Sequence, residues 1–389
     1  MGKVYDICII GAGASGLAAA VAASSSGGRS VIILEKTDRP GHKIAVSGAG
    51  RCNLSNIRCE DKDSVLRFFS SIGLMTMTDR EGRIYPHSED ARDVAECLTR
   101  AAVRQGVRIE TFCEVTGASA STGGFLIVIK NKPPVAARRL LIAAGGKSAP
   151  KTGSTGDSYK LARSFGHTVN RLVPVLTGVE TTENMIKLGL PGVRQKCLVT
   201  LTEKGAEKFK ERGEVQFTDY GLSGICVFNM TRYMDISDFG TGLSEYRVIL
   251  DFLPDTAEEN VRNIYQNNLT LFQDSAAALC SIVKRPLAAV IAGRSDPAAE
   301  LKHMIFRPVG LKGWGFAQVT RGGVPLSETD AEGGSRIVPG LYFAGEALDF
   351  DGPCGGYNLN HAWRTGMAAG RAMADDADQI GRASCRERV

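Results

Sequence analysis

Apolar residues run together over Val4–Ile10, give way to glycine and alanine, and return over residues 30–34. Short apolar runs bounded by turn residues predict strands buried on both faces, as in a parallel sheet, and the alanine-rich stretch between them, to about Ser25, predicts a helix. Ala91, Val94, Ala95 and Leu98 recur at helical spacing. They predict an amphipathic helix with Ser88 as its N-cap, Glu89 and Asp90 in its first turn and Gly106 as its stop. Strands are expected at residues 107–112, 125–130 and 139–142, and a helix at 158–165. Between residues 171 and 320 the texture changes to short alternating runs with Gly/Pro punctuation (213–217, 246–253), then a helical stretch over 257–279. Gly221 to Gly224 reads as a plain loop or a substrate-side turn. Residues 340–346 form another short buried strand, and 362–374 a small-residue helix.

The first strand is followed at once by Gly11, Ala12, Gly13, Ala14, Ser15 and Gly16, and Glu35 closes the second strand nineteen residues after Gly16. This is the order that a dinucleotide requires. Gly11 allows the tight turn, Gly13 lets backbone approach a diphosphate, and Gly16 lets helix pack on strand. The first N–H groups of the helix, with Ala14 and Ser15, face the phosphates. Glu35 can accept from an adenosine ribose, with Lys36 beside it.

A second glycine-rich segment follows directly, which a simple NAD dehydrogenase does not need. Residues 41–53 include Lys43, Ser47, Gly48, Arg51, Cys52 and Asn53 and read as an ordered loop rich in donors for phosphate and flavin edges. Ala144 and Gly145, at the exit of the 139–142 strand, are a further cofactor contact. The third cluster lies near the C-terminus. There Gly345 and Glu346 precede Gly356, Tyr357 and Asn358, with the carboxylate placed for ribitol hydroxyls and a helix start placed to stabilise negative charge on a reduced flavin. Together the three clusters point to FAD.

The 45 glycines are in excess over the usual share, and they bunch at these places instead of forming a linker. The net charge of +5 and its even spread argue against a nucleic-acid surface. No apolar run approaches a membrane span, and no export signal opens the chain, so a cytoplasmic location with reduced thiols is expected. The ten cysteines contain no Cys-x-x-Cys pair, so no metal site is expected.

Residues 11–16, 41–56, 145–157, 213–224, 319–324 and 339–360 closely resemble those of the aminoacetone-oxidase-like NAD(P)/FAD-dependent oxidoreductases, similar also to a flavoenzyme of bile-acid dehydroxylation. The resemblance implies an α/β fold with a Rossmann-like FAD-binding domain of glutathione-reductase type, interrupted by an inserted β-barrel plus helical domain. The boundaries read 1–170 and 325–379 for the FAD domain and 171–324 for the substrate-side insert. The tail 380–389 looks foreign to the fold.

Only one Gly-x-Gly-x-x-Gly is present, and Cys52 and Cys59 are too far apart for a short redox pair, which argues against a disulfide reductase. What remains is an FAD-dependent oxidoreductase moving hydride through flavin N5 from transient NAD(P)H to a small organic substrate, with an activated C=C bond as the favoured acceptor. An oxygen-using amine oxidase and an RNA-associated flavoprotein are the alternatives. Tyr357 and His361 are the acid–base candidates, with Cys354 behind them, and Arg321 is the candidate for holding a carboxylate or oxyanion.

Overall fold

A computed structural model of the protein describes residues 3–25, 27–234 and 243–386. The chain forms two compact units. One combines residues 1–173 with 319–389, and the other is the continuous stretch 174–318.

The first unit is built on a seven-stranded sheet. Its strands are β1 (Val4–Ile10), β2 (Val31–Leu34), β3 (Arg108–Glu110), β4 (Val115–Ser121), β5 (Gly124–Ile129), β6 (Val135–Ile142) and β7 (Leu341–Phe343). β3, β2, β1, β6 and β7 are successive parallel neighbours, while β4 and β5 form an antiparallel hairpin on β6. β6 shares one edge between two partners: its first residues pair with β5 and its last, Leu140 to Ile142, with β7. Ile10 is level with both Leu34 and Ile142, and Ile142 is level with Phe343. Four parallel strands therefore end in line, and everything that follows them emerges at one edge of the sheet.

Helices cover one face. α1 (Ala14–Ser24) is buried along nearly its whole length, because small side chains let it lie close to its neighbours. α3 (Tyr357–Arg386) crosses it, and a Cβ on Gly366 or Gly370 would stand 2.3 Å from the backbone oxygen of Ser15 or Ala19. α2 (Ala91–Arg104) packs its Val94, Ala95 and Leu98 into the same core.

Several elements differ from the sequence expectation. Asp90, not Ser88, caps α2: its carboxylate accepts from Arg92 N–H at 2.8 Å, while Glu89 sits at φ 52° and cannot begin a helix. The 41–53 loop contains one helical turn, His42–Ala45, tied down by Gly41 N–H donating to Ala12 O at 2.8 Å. α3 begins at Tyr357 and its backbone stays helical through Arg386, into the segment expected as a foreign tail; residues 387–389 lie outside the described residues.

The second unit carries a seven-stranded antiparallel sheet, in the order Met304–Phe306, Tyr246–Asp251, Arg194–Glu203, Ala206–Phe217, Gly221–Ser223, Val179–Thr181 and Pro308–Leu311. The expected 257–279 helix breaks at Gln273, which adopts φ 53°, into Glu258–Phe272 and Ser275–Leu279. Residues 221–224 are a short strand and the N-cap of helix Ile225–Thr231, not a free loop. Among the described residues no helix is long and apolar enough to cross a membrane, and no group of three or more His, Cys, Asp or Glu could hold a metal ion.

Candidate functional site at the carboxyl edge of the parallel sheet

Gly11 leaves β1 at φ 101°, which a side chain rarely adopts, and a Cβ there would be 2.6 Å from Ala143 O. A Cβ on Gly16 would be 1.9 Å from Gly11 O. Gly13 is different: a Cβ on it would meet nothing within 4 Å. The sequence thus keeps glycine at Gly13 beside open space, at the N-cap of a helix with no side-chain cap and no acid in its first turn. Such a helix start, with unpaired N–H groups and the positive dipole end, fits a diphosphate. Ser15 Oγ donates to Ala344 O at 3.4 Å, linking α1 to the exit of β7.

Glu35 folds back over the glycine turn. Its Oε2 accepts from Ala12 N–H and its Oε1 from Thr37 N–H and Oγ1, each at 2.8 Å. Lys36 reaches across to Thr155 Oγ1 and Asp157 Oδ2, both at 2.6 Å, joining the acid's loop to the 153–157 turn.

The second glycine segment is stitched to the third. Asn56 Nδ2 donates to Gly355 O at 3.0 Å, Ser55 Oγ to Asn360 Oδ1 at 2.7 Å, and Trp363 Nε1 to Leu54 O at 3.0 Å. With its amide oriented to satisfy both neighbours, Asn53 donates to Ser55 O at 2.9 Å and accepts from Gly356 N–H at 3.1 Å. Gly356, at φ 99°, must be glycine because a Cβ would fall 2.4 Å from Ser55 O. Lys43 Nζ donates to Glu346 Oε2 at 2.7 Å, and Glu346 Oε1 accepts from Thr320 N–H at 2.8 Å.

Gly48 and Ala49 adopt left-handed backbone and stay exposed, while Ser47 Oγ donates to Ile44 O at 2.7 Å. Arg51 points to Tyr85, with its guanidinium 4.7 Å from the ring centroid, and pairs with Glu89 at 3.2 Å. Cys52 turns into the core, where burial pushes its thiol up to about 12. Ala144 leaves β6 beside Gly11 and Gly145 beside Ser154, and Gly146 packs against Glu346 and Thr320.

At the start of α3, Tyr357 is half-buried, and Asn358 closes its own loop by accepting from Gly352 N–H at 2.7 Å and donating to Gly352 O at 2.9 Å. His361 stacks on Phe350 at 4.0 Å between centroids, and burial pulls its pKa down to about 3, so it is neutral. Its Nε2 is buried without a hydrogen-bond partner. Arg321 and Cys354 are both half-buried.

Three further side chains complete the edge: Thr320 and Asn360, which lie in segments of the resemblance, and Tyr159, which sequence reasoning passed over. Thr320 Oγ1 accepts from Lys147 N–H at 2.8 Å, Tyr159 OH donates to Glu346 O at 2.8 Å, and Asn360 Nδ2 donates to Asp61 at 2.6 Å. Their partners lie far away in sequence, so no local pattern gives these contacts. Gly366 and Gly370, four apart on one helix, did carry a local signal of close packing.

A family model described as "HI0933-like protein Rossmann domain" matches residues 5–67 and 60–372. Over 415 aligned positions the chain is 35% identical to the 3-dehydro-bile acid delta(4,6)-reductase of Clostridium scindens, covering 95% of this chain and 99% of that one. It is 29% identical to the ribosomal RNA dihydrouridine synthase of Escherichia coli, covering 95% and 98% respectively. Among solved structures, 3-ketosteroid delta1-dehydrogenase from Sterolibacterium denitrificans shares the fold, with TM-score 0.54 at 14% identity over 96% of this chain and all of that one. With its glycine turn, its in-line strand exits and a match over nearly its whole length, this chain belongs to the HI0933-like Rossmann-domain family.

Proposed function

We propose that this protein is an FAD-dependent oxidoreductase that takes hydride from transiently bound NAD(P)H and delivers it to a carbon–carbon double bond of a small organic substrate. The observation that carries the reading is the open space beside Gly13 at the uncapped start of α1, on the edge where the other glycine-rich exits emerge. On this reading 1–170 and 325–379 form an FAD domain of glutathione-reductase type, and 171–324 is a substrate domain whose antiparallel sheet is a barrel.

The bound flavin supplies two-electron hydride exchange at its N5. The chain's own residues bind and orient. The first N–H groups of α1 hold the diphosphate, Glu35 accepts from a ribose hydroxyl, and Glu346, oriented by Lys43 and Thr320, accepts from the ribityl chain. His361, neutral in its buried site, stacks on Phe350 beside the start of α3. Tyr357, at the helix start, is the proton donor to the substrate carbon, and Arg321 holds the substrate's oxygen. The names of both relatives given above describe hydrogen added to a carbon–carbon double bond, which supports this acceptor.

Absorption spectra of the purified protein test the reading. A flavin spectrum that bleaches on anaerobic addition of NADH or NADPH is expected. A protein that neither carries nor binds FAD sinks it, and peroxide release from amines without such bleaching transfers the proposal to an oxidase. The dihydrouridine synthase relative favours a second reading, in which the reduced double bond belongs to RNA; salt-sensitive RNA binding with dihydrouridine formation would select it.

A further inference from the structure

Away from the glycine turn, three side chains of the α/β unit form a hydrogen-bonded line. His167 Nε2 is 2.7 Å from Ser335 Oγ, and His167 Nδ1 is 2.8 Å from Glu328 Oε2. The imidazole side chain has no exposed surface, and its ring stands edge-on to Phe343 with centroids 4.7 Å apart.

The direction of each bond follows from counting lone pairs. Ser335 Oγ accepts from the backbone N–H groups of Ile337 at 3.1 Å and Val338 at 2.8 Å. A hydroxyl oxygen has two acceptor lone pairs and one proton. With both lone pairs engaged, its proton goes to His167, so Nε2 is the unprotonated acceptor and Nδ1 carries the hydrogen given to Glu328. Thr168, first through its side chain and then through its N–H, and His167 after it, hold the Glu328 carboxyl below its usual range, so the end of the line is a carboxylate. Hydroxyl donor, neutral imidazole and carboxylate form the resting protonation pattern of a serine nucleophile.

We propose that Ser335 is the nucleophile of a second reactive centre, with His167 as its base and Glu328 as a positioning residue, acting on activated acyl compounds such as small aryl esters. Ser335 is half-buried, with the buried Gly333 and Gly334 before it and the exposed Arg336 and Ile337 after it. The Oγ–carbonyl carbon bond forms as the Oγ proton moves to His167 Nε2. The ester C–O bond then breaks, and that proton passes to the departing aryl oxygen. Water cleaves the acyl serine by the same route and releases the carboxylic acid. Attack spends one of the Oγ lone pairs that accept from Ile337 and Val338, and the N–H so released is then available to the developing oxyanion.

The test uses the full chain, with circular dichroism confirming the fold of each variant. The protein is treated with a fluorophosphonate probe, whose phosphorus bonds to Oγ as fluoride leaves, and the adduct is mapped by mass spectrometry alongside hydrolysis of p-nitrophenyl acetate. One adduct at Ser335 is expected, with none in Ser335→Ala and labelling about 100-fold slower in His167→Gln. Because Ser335→Ala also loses the two N–H contacts, Ser335→Cys provides an independent variant. Its thiol is expected to react with iodoacetamide much faster than in the Ser335→Cys/His167→Gln double variant. Folded wild-type protein without an adduct at Ser335, or rates insensitive to His167→Gln in both assays, would overturn the proposal.

Discussion

Lys43 and Glu346, 303 positions apart in the chain, meet with Nζ and Oε2 2.7 Å apart, and the other oxygen of Glu346 is held by Thr320 N–H. Both charges are partly shielded from solvent, so the lysine fixes which way the carboxylate presents its remaining lone pairs. If that carboxylate contacts the cofactor, Lys43→Met lowers FAD affinity by about tenfold, or roughly 1.4 kcal/mol. Quenching of flavin fluorescence on titration measures it. Unchanged affinity removes Glu346 from the cofactor site.

Gly13 and Gly16 make a matched pair of substitutions. Gly13→Ala places a methyl in open space at an ordinary backbone angle, so stability stays within about 0.5 kcal/mol of the parent. The same methyl occupies the diphosphate cradle, and FAD affinity is expected to fall at least about 100-fold, or roughly 2.7 kcal/mol. Gly16→Ala drives a Cβ into Gly11 O and prevents folding of the domain. Thermal melts and FAD titrations run side by side separate the two effects.

Where α3 crosses α1, Gly366→Ala forces the helices apart against the Ser15 carbonyl. Overpacking of this kind costs about 1–3 kcal/mol, and each kcal/mol lowers Tm by roughly 2–4 °C in a unit of this size. Differential scanning calorimetry reads the shift. A variant melting at or above the parent temperature contradicts the packing.

His361 makes stability depend on pH. Burial, then the Arg364 charge, holds its folded pKa down to about 3, below the usual 6.5 of the unfolded chain. Between those values the unfolded state binds the additional proton, so this contribution is complete above pH 6.5 and is lost as pH falls toward 3. At pH 5 the loss is about 2 kcal/mol. Urea unfolding at pH 7 and pH 5 is expected to show that loss in the parent, and a clearly smaller one in His361→Phe, which keeps an aromatic ring against Phe350. Equal pH slopes refute the assignment.

The β1–α1–β2 core is legible because hydrophobic period, glycine spacing and a terminal acid agree within one local stretch. β4 is not: Val115–Ser121 is made of small and polar residues and is held by its pairing with β5. The short strands Ser55–Asn56, Thr76–Thr78 and Arg83–Pro86 escape for the same reason. Of the proposed cofactor residues, those that act through backbone, such as Gly11, Gly13 and Gly356, are readable as glycines. Side-chain assignments fare differently, because orientation is a tertiary fact. Arg51 is drawn to Tyr85 and Glu89, Cys52 to the core, and Asn358 to its own loop. Thr320 lies in the 319–324 segment of the resemblance, but its hydrogen bonds to Lys147 and Glu346 cannot be read from that stretch alone.

The crossing of α1 and α3 brings residues from the first and last parts of the chain into contact, with the whole of 174–318 made between them. During synthesis α1 leaves the ribosome with one face bare, and it stays uncovered until the final helix has emerged. The intervening stretch is continuous and can close its own core first. A ribosome that stalls before Gly366 therefore releases a product whose middle is folded and whose ends are not, with apolar helix surface open to chaperones and proteases.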